Sequence, residues 1–408
     1  MAEHLSSPRA PWARLLLPFA AGYYLSYLLR TVNAVISPDL TRELGLSAAD
    51  LGLLTGAYFF GFAAAQIPVG IALDRYGPRR VESALLVLAA AGALLFAFGH
   101  SLTQLAVARA LIGIGVSACL MAALKAFSQW YPPDRYAAMT GQIMAAGALG
   151  AISATLPLEV ALPLVGWRGV FIAVTIACMA VLLLIRFFVP DHPAHGAGSP
   201  DGQQGSVRQI FASPVFWRFA PQAALFSGGL MAMQSLWSVP YLINVAGHGL
   251  THAAQHLLAI NLGMLAGQLA IAAIATRLAR VGVTSLRIMQ AGFALSIAIE
   301  IAIILTYGGG LALWFAWGVT SAVSAQVYGV VAGYFAPALS GRASTAINLM
   351  AFIGAFAVQW SYGALIDALT AAGFAASAAY RASLAALVLL QAASLLPMLG
   401  AADARARP

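Results

Sequence analysis

The chain has 408 residues, of which 61% are hydrophobic and 8% charged, with a formal net charge of +8 and two cysteines. A soluble protein carries roughly 25% charged residues, so this composition excludes a soluble globular enzyme and names the bilayer as solvent. Cys119 and Cys178 stand alone within apolar runs, which excludes a disulfide or metal–thiolate framework. No basic patch carries the interleaved aromatics that nucleic-acid binding uses.

Apolar stretches of spanning length, about 17–25 residues, recur at 13–36, 50–72, 82–99, 104–127, 138–161, 169–189, 217–243, 253–276, 286–306, 311–335, 343–366 and 379–400. They predict an all-α membrane protein with twelve transmembrane helices. The first stretch follows basic residues, as a signal peptide does, but "MAEHLSSPRAPWARLLLPFAAGYY" runs on to full length without a small-residue cleavage site and reads as a first helix. With the N-terminus inside, Arg9, Arg14, Arg75, Arg79, Arg80, Lys125, Arg135, Arg186, Arg208, Arg218, Arg277, Arg280, Arg287, Arg342, Arg405 and Arg407 fall on or near the cytoplasmic side, and Arg42, Arg168 and Arg381 outside. This positive-inside bias puts both termini in the cytoplasm, with a bacterial inner (plasma) membrane as the expected location. The basic charge therefore reports orientation rather than a polyanionic partner.

The stretch "PDHPAHGAGSPDGQQGS", residues 190–206, is rich in Pro, Gly and polar residues and reads as a linker. It divides the chain into a first six-helix half, 1–189, a cytoplasmic linker, 190–213, and a second half, 214–408. Two halves of six make an internal repeat the natural expectation.

Between the second and third spans stands "GIALDRYGPRR", residues 70–80. Gly70 suits a close helix approach. Asp74, at a helix end, suits a neighbouring helix N-terminus. Arg75, Arg79 and Arg80 suit a clasp between the halves; the alternative is a solvated cluster that sets topology. The spacing G-x-x-x-D-R-x-G-x-R-R resembles the loop motif of the major facilitator superfamily. Ala272, Thr276, Arg277 and Gly282 echo it in decayed form after the eighth span. "ARALIGIG", with Arg109 four residues before Gly113, resembles a second motif of that family, and "VPDHP" a third. The resemblance implies two pseudo-symmetric six-helix halves, with helices one, four, seven and ten around a central cavity, the eleventh span near "SGRAST" as the one whose N-terminus Asp74 meets, and a gating role for Gly70, Asp74, Arg75, Arg79, Arg80 and Arg109.

On the first helix, "YYLSYLLRTVNAVI" places Arg30 inside an otherwise uncharged run. Tyr23, Tyr27 and Arg30 are spaced i, i+4, i+7 and share one face. An aromatic-flanked guanidinium is an anion site in kind. The competing reading is structural: Arg30 lies roughly 22 Å along its helix at 1.5 Å per residue, which leaves about 8 Å to the edge of a ~30 Å core, within reach of snorkelling. The segment also resembles the first helix of the organophosphate and anion-symporter branches, where such an arginine binds the substrate's anionic group. Those organophosphate proteins place a second arginine on helix seven, whereas this chain has Met231, Met233 and Gln234 there. One guanidinium suits a single planar carboxylate.

Gln234 and Trp237 on helix seven, and Ser321, Ser324 and Tyr328 on helix ten, are the candidates for the facing wall of the site. Lys125, near the cytoplasmic end of helix four, either draws anions inward or sets topology. For coupling, the candidate carboxylates are Glu159 and Glu300, although Glu300 also suits a paired structural role. Helix five has Gly141, Gly147 and Gly150 but lacks the Gly-Pro-x-x-Gly-Gly pattern of drug antiporters. His248, His252 and His256 are spaced by four, as metal ligands can be, but Thr251 reads as an N-cap that leaves His248 in the loop.

The sequence reading is a monomeric secondary transporter that moves a small organic anion, a carboxylate, by alternating access, with no cofactor and with proton co-transport left open. The alternatives are a metal or siderophore transporter of the same fold and a non-transporting membrane sensor. No G-x-x-x-x-G-K-[ST] loop and no nucleophile–base pair occurs, so neither ATP-driven pumping nor catalysis is expected.

Overall fold

In the computed structural model, residues 12–131, 133–190, 207–280 and 282–399 are described, and they are helical almost throughout, with no strand among them. The membrane helices are α1 (Trp12–Leu44), α2 (Ala48–Tyr76), α3 (Pro78–Ala97), α4 (Leu102–Trp130), α5 (Pro133–Ser153), α6 (Leu156–Phe188), α7 (214–246), α8 (Leu250–Arg280), α9 (Ser285–Leu305), α10 (Leu311–Ala332), α11 (Pro337–Ala371) and α12 (Ala376–Leu399). Among the described residues, nine helices are long and apolar enough by themselves to cross a membrane. Most of the expected linker, with the third motif "VPDHP" beyond Pro190, lies outside the described residues.

Local chemistry accounts for several boundaries. Ser101 caps α4 by accepting from the Gln104 amide, and Thr284 caps α9 by accepting from the Arg287 amide. Pro78 and Pro337 occupy first turns, where a missing N–H costs nothing. The expected fifth span, 138–161, is divided: α5 ends at Ser153, and the residues beyond it open α6, which Gly166 then breaks with φ 65° and ψ 168°. An apolar run reads alike whether its helix is continuous or broken, so only the glycine marked the break.

Besides α6, three helices are irregular within their length. α4 is interrupted at Ser117–Ala118, α7 contains two π turns (Ala223–Ser227 and Met233–Trp237), and α10 tightens to a 3-10 turn at Ala322–Ala325. Such turns leave carbonyls and side chains off the regular ladder and often mark functional positions.

The chain forms two compact units. The first comprises Met1–Arg30, Phe60–Ala154 and Ala161–Pro200; the second comprises Thr31–Phe59, Thr155–Val160 and Asp201–Pro408, each described here only over its described residues. α1 therefore passes from one unit to the other directly after Arg30, and α2 passes back between Phe59 and Phe60.

Small residues set the helix spacing in both units, as they do where lipid supplies no hydrophobic drive. In the first unit a Cβ at Gly150 of α5 would collide with the Tyr24 carbonyl of α1, and one at Gly115 of α4 would collide with Ala89 of α3. Phe96 of α3 stacks on Phe171 of α6 with ring centroids 4.0 Å apart. In the second unit Gly263 and Gly267 of α8 meet backbone of α10, and Gly354 of α11 meets backbone of α7. There too the start of α2 packs on α11 through Gly52 and Gly363. Asp367 of α11 accepts from the Ala48 amide at 3.1 Å and the Ala49 amide at 2.8 Å, so a carboxylate closes the exposed N–H groups of the α2 N-terminus. Asn33 donates to Thr55 at 2.9 Å and ties α1 to the same segment.

A Gly150→Ala variant is expected to lose roughly 1–3 kcal/mol through overpacking, read as a lower melting temperature in detergent. Gly141→Ala, whose Cβ would meet open space, should change stability by less than about 1 kcal/mol. Equal losses in both would contradict the packing account.

Candidate functional site

The first unit brings Tyr23, Tyr27 and Arg30 together. The Arg30 guanidinium carbon lies 4.4 Å from the centre of the Tyr27 ring and 5.6 Å from that of Phe62 on α2. The Tyr23 and Tyr27 rings meet edge to face at 5.0 Å, and the Tyr23 hydroxyl donates to the Met144 sulfur at 3.9 Å. Arg30 is 7% exposed, so its charge is held among protein groups. Aromatic faces offset part of the cost of a buried cation, about 0.5–2 kcal/mol for each good contact.

Two features hold this cluster in place. Gly147 of α5 has no side chain where one would strike both tyrosine rings. Arg109 of α4 is fully buried and donates to the Leu29 carbonyl at 2.8 Å, which fixes α1 at the residue before Arg30. Phe62 was not foreseen; the sequence offers no signal that a phenylalanine of the second helix would face an arginine of the first.

The second unit holds the other proposed contacts. Gln234, within the second π turn of α7, donates to Asn261 of α8 at 2.6 Å and to the Met264 sulfur at 3.5 Å. Tyr328 of α10 donates to Asn348 of α11 at 3.1 Å. Ser324 is half-buried in the 3-10 turn. Trp237 and Ser321 are engaged by neighbouring helices: the Trp237 indole donates to the Gln359 carbonyl at 3.1 Å and its ring packs on Tyr362 at 4.9 Å, while Ser321 bonds Ser296 at 3.2 Å.

The loop-motif residues take specific partners. Asp74, expected at a helix N-terminus, pairs with Lys125 of α4, and both belong to the first unit. Gly70, expected at a close helix contact, has open space where a Cβ would stand. Arg75 lies over the Tyr76 ring at 5.2 Å. Arg79 donates from Nε to the Arg186 carbonyl at 3.0 Å and so closes the end of α6. Arg80 and Tyr76 border an apolar groove of 590 Å³ lined by α2, α3 and α4. In the decayed copy of the motif, the side chains of Ala272 and Thr276 lie outside the described residues.

The carboxylates separate by surroundings. Glu159 accepts from the Thr251 hydroxyl at 2.8 Å in the first turn of α6. Glu300 is buried in α9, with Gln391 of α12 and Trp317 of α10 beside it. Sequence reasoning missed two others. Glu82 was set at the very edge of the third span, but α3 begins four residues earlier and buries it completely. Asp367 closes an apolar span in "YGALIDALT", where an intramembrane acid is itself a signal.

Thr251 does not cap α8, which begins at Leu250; its hydroxyl goes to Glu159 instead. His248 lies in the preceding loop, with its ring 6.0 Å from that of His252 and 5.0 Å from that of His256. The His256 Nδ1 meets the His252 carbonyl at 2.7 Å, and no group of three metal-capable side chains with ligand geometry occurs among the described residues.

The family model for the Major Facilitator Superfamily matches residues 19–359. The chain is 30% identical over 171 residues to the protein named "Probable sulfoacetate transporter SauU" of Cupriavidus necator, covering 42% of this chain and 40% of that one. It is 32% identical over 178 residues to the "Probable L-galactonate transporter" of Escherichia coli, covering 43% and 38%, and 29% identical over 182 residues to the hexuronate transporter of Bacillus subtilis, covering 44% and 42%. The matches thus span about two fifths of the length of these relatives. Among solved structures, the D-xylose–proton symporter superposes with a TM-score of 0.76 at 13% identity over 97% of this chain and 99% of that one. A bacterial homologue of the lysosomal transporter Spinster, inward-facing and occupied, gives 0.71 at 20% over 94% and 95%. These two show the fold. With twelve helices, the loop motif at residues 70–80 and the family model matched over most of its length, the chain belongs to the Major Facilitator Superfamily.

Proposed function

We propose that the protein is a secondary transporter of a small organic anion whose carboxylate is held by Arg30. The observation that carries this reading is the buried Arg30 guanidinium bordered by two aromatic rings, on a helix fastened by Arg109 at the preceding carbonyl. A guanidinium offers two parallel N–H donors to one carboxylate, and Tyr27 and Phe62 add flat apolar faces. Three relatives whose names specify sulfoacetate, galactonate and hexuronate support an anionic substrate.

In this reading the two six-helix halves, 1–189 and 214–408, rock about the site with both termini in the cytoplasm. Tyr23 serves the anion beside Arg30, and Gln234 and Tyr328, each set by an amide partner, are the substrate contacts proposed for the second unit, together with Ser324. Trp237 and Ser321 support these positions from within the helix packing. Asp74 and Lys125 form the exposed part of a gate whose arginines, Arg75, Arg79 and Arg80, anchor the α2–α3 turn. Glu159, which accepts from Thr251, and the buried Glu300 are the coupling candidates in this reading.

Arg30→Lys should weaken anion binding about 10- to 100-fold, because an ammonium loses the planar two-point contact and a charge-assisted hydrogen bond is worth roughly 1.5–3 kcal/mol. The measurement is ligand-induced thermal stabilisation over a carboxylate panel, with unliganded melting recorded on the same samples. Undiminished affinity in a folded Arg30→Gln protein would remove the assignment.

Asp74→Asn tests the gate. It should leave the protein folded, since the Lys125 partner is an exposed surface pair, yet slow transport in proteoliposomes. Wild-type rates would show that the pair only sets topology.

A further inference from the structure

The corner between α7 and α8, within the second unit, carries three imidazoles that the anion site does not use. Gly247 ends α7 in the left-handed conformation, with φ 67°, and the His248 amide turns back to donate to the Leu242 carbonyl at 3.2 Å. This closing turn is open to glycine above all. It sets the His248 ring against the start of α8, 5.0 Å from the ring of His256 and 6.0 Å from that of His252. His252 and His256 stand four residues apart on one helix and so share a face.

His256 is 5% exposed, and its Nδ1 lies 2.7 Å from the His252 carbonyl. A carbonyl only accepts, so Nδ1 carries the proton and Nε2 keeps its lone pair. That nitrogen is enclosed and no group bonds it, while Trp314 of α10 meets the ring edge to face at 6.2 Å as an apolar neighbour. An imidazole held by a carbonyl at one nitrogen and bare at the other is in the form that binds a metal. The spacing agrees with this. Two imidazoles on one tetrahedral zinc, with Zn–N of about 2.0–2.1 Å, have ring centres about 5 Å apart, and His248 and His256 stand at 5.0 Å. The exposed His252 ring stands wider, and its carbonyl rather than its ring serves the pair. No group of three metal-capable side chains with ligand geometry occurs among the described residues, so the remaining coordination positions fall to water beside the half-buried His248.

We propose that His248 and His256 form a two-imidazole site for a divalent transition-metal cation, of which zinc, copper and nickel are the ions that imidazole suits. A bound cation ties the turn after α7 to the second turn of α8. The site lies in a different unit from Arg30, and the assignment is independent of the anion reading.

The experiment is calorimetric titration of the untagged, chelator-treated full chain in detergent with zinc chloride, with melting recorded with and without the metal. The chain has seven histidines, so the variants rather than wild type locate the site. Even a group that only supports a metal ligand is worth about 10–100-fold in affinity, so His248→Ala and His256→Ala should each weaken zinc binding by at least about 10-fold and abolish the zinc-induced rise in melting temperature. His252→Ala keeps the carbonyl and should bind zinc as wild type does. If the buried His256 variant does not fold, His248→Ala, in the loop, decides alone. A wild type that binds no zinc, or zinc binding undiminished in His248→Ala, overturns the site. A loss in His252→Ala as large as that in His248→Ala overturns the pairing of His248 with His256. None of these results bears on Arg30, which its own binding measurement tests.

Discussion

The function proposed for this protein depends on keeping one guanidinium inside an apolar bundle. A cation in that position costs anywhere from about 2.5 kcal/mol on insertion scales to more than 10 in simulations of isolated helices. The chain offsets this cost locally, with rings at 4.4 and 5.6 Å and a helix fixed by Arg109. α1 leaves the first compact unit directly after Arg30.

The irregular turns lie on the helices that the family geometry assigns to the cavity. The break in α4 is followed at once by Cys119, the second π turn of α7 holds Gln234, and the 3-10 turn of α10 holds Ser324. The small-residue seams, by contrast, are built from glycines that meet backbone and leave no freedom for a side chain. Packing rigidity and site geometry are thus supplied by different residues. Asp367 at the start of α2 shows an acid on a helix N-terminus in the second unit, the arrangement that the sequence suggested for Asp74 at the other end of that helix. Asp74 itself pairs with Lys125.

The fold was legible because its signal is additive: twelve apolar runs and one long motif leave few alternatives. The Tyr23, Tyr27 and Arg30 face was legible for the same reason, since a single helix fixes the relation of i, i+4 and i+7. Contacts between helices were not. Nothing in the local sequence says that Phe62 faces Arg30, that Lys125 meets Asp74, or that Glu82 lies under Gly22. Glu82 was missed for a specific physical reason. Hydropathy places a charged residue at the end of a span, whereas Pro78 starts the helix a turn earlier and draws the carboxyl inside. The break at Gly166 escaped hydropathy likewise, because apolarity is blind to backbone direction.

The most direct test of the central claim is uptake into proteoliposomes under an inward proton gradient, comparing sulfoacetate, galactonate, tartrate and glucuronate with neutral sugars and with the amides of the same acids. The account predicts that one or more of the acids accumulates while its amide and the neutral sugars do not, because only the carboxylate engages Arg30 in two-point pairing. Equal uptake of an acid and its amide, or transport of neutral sugars alone, would contradict it.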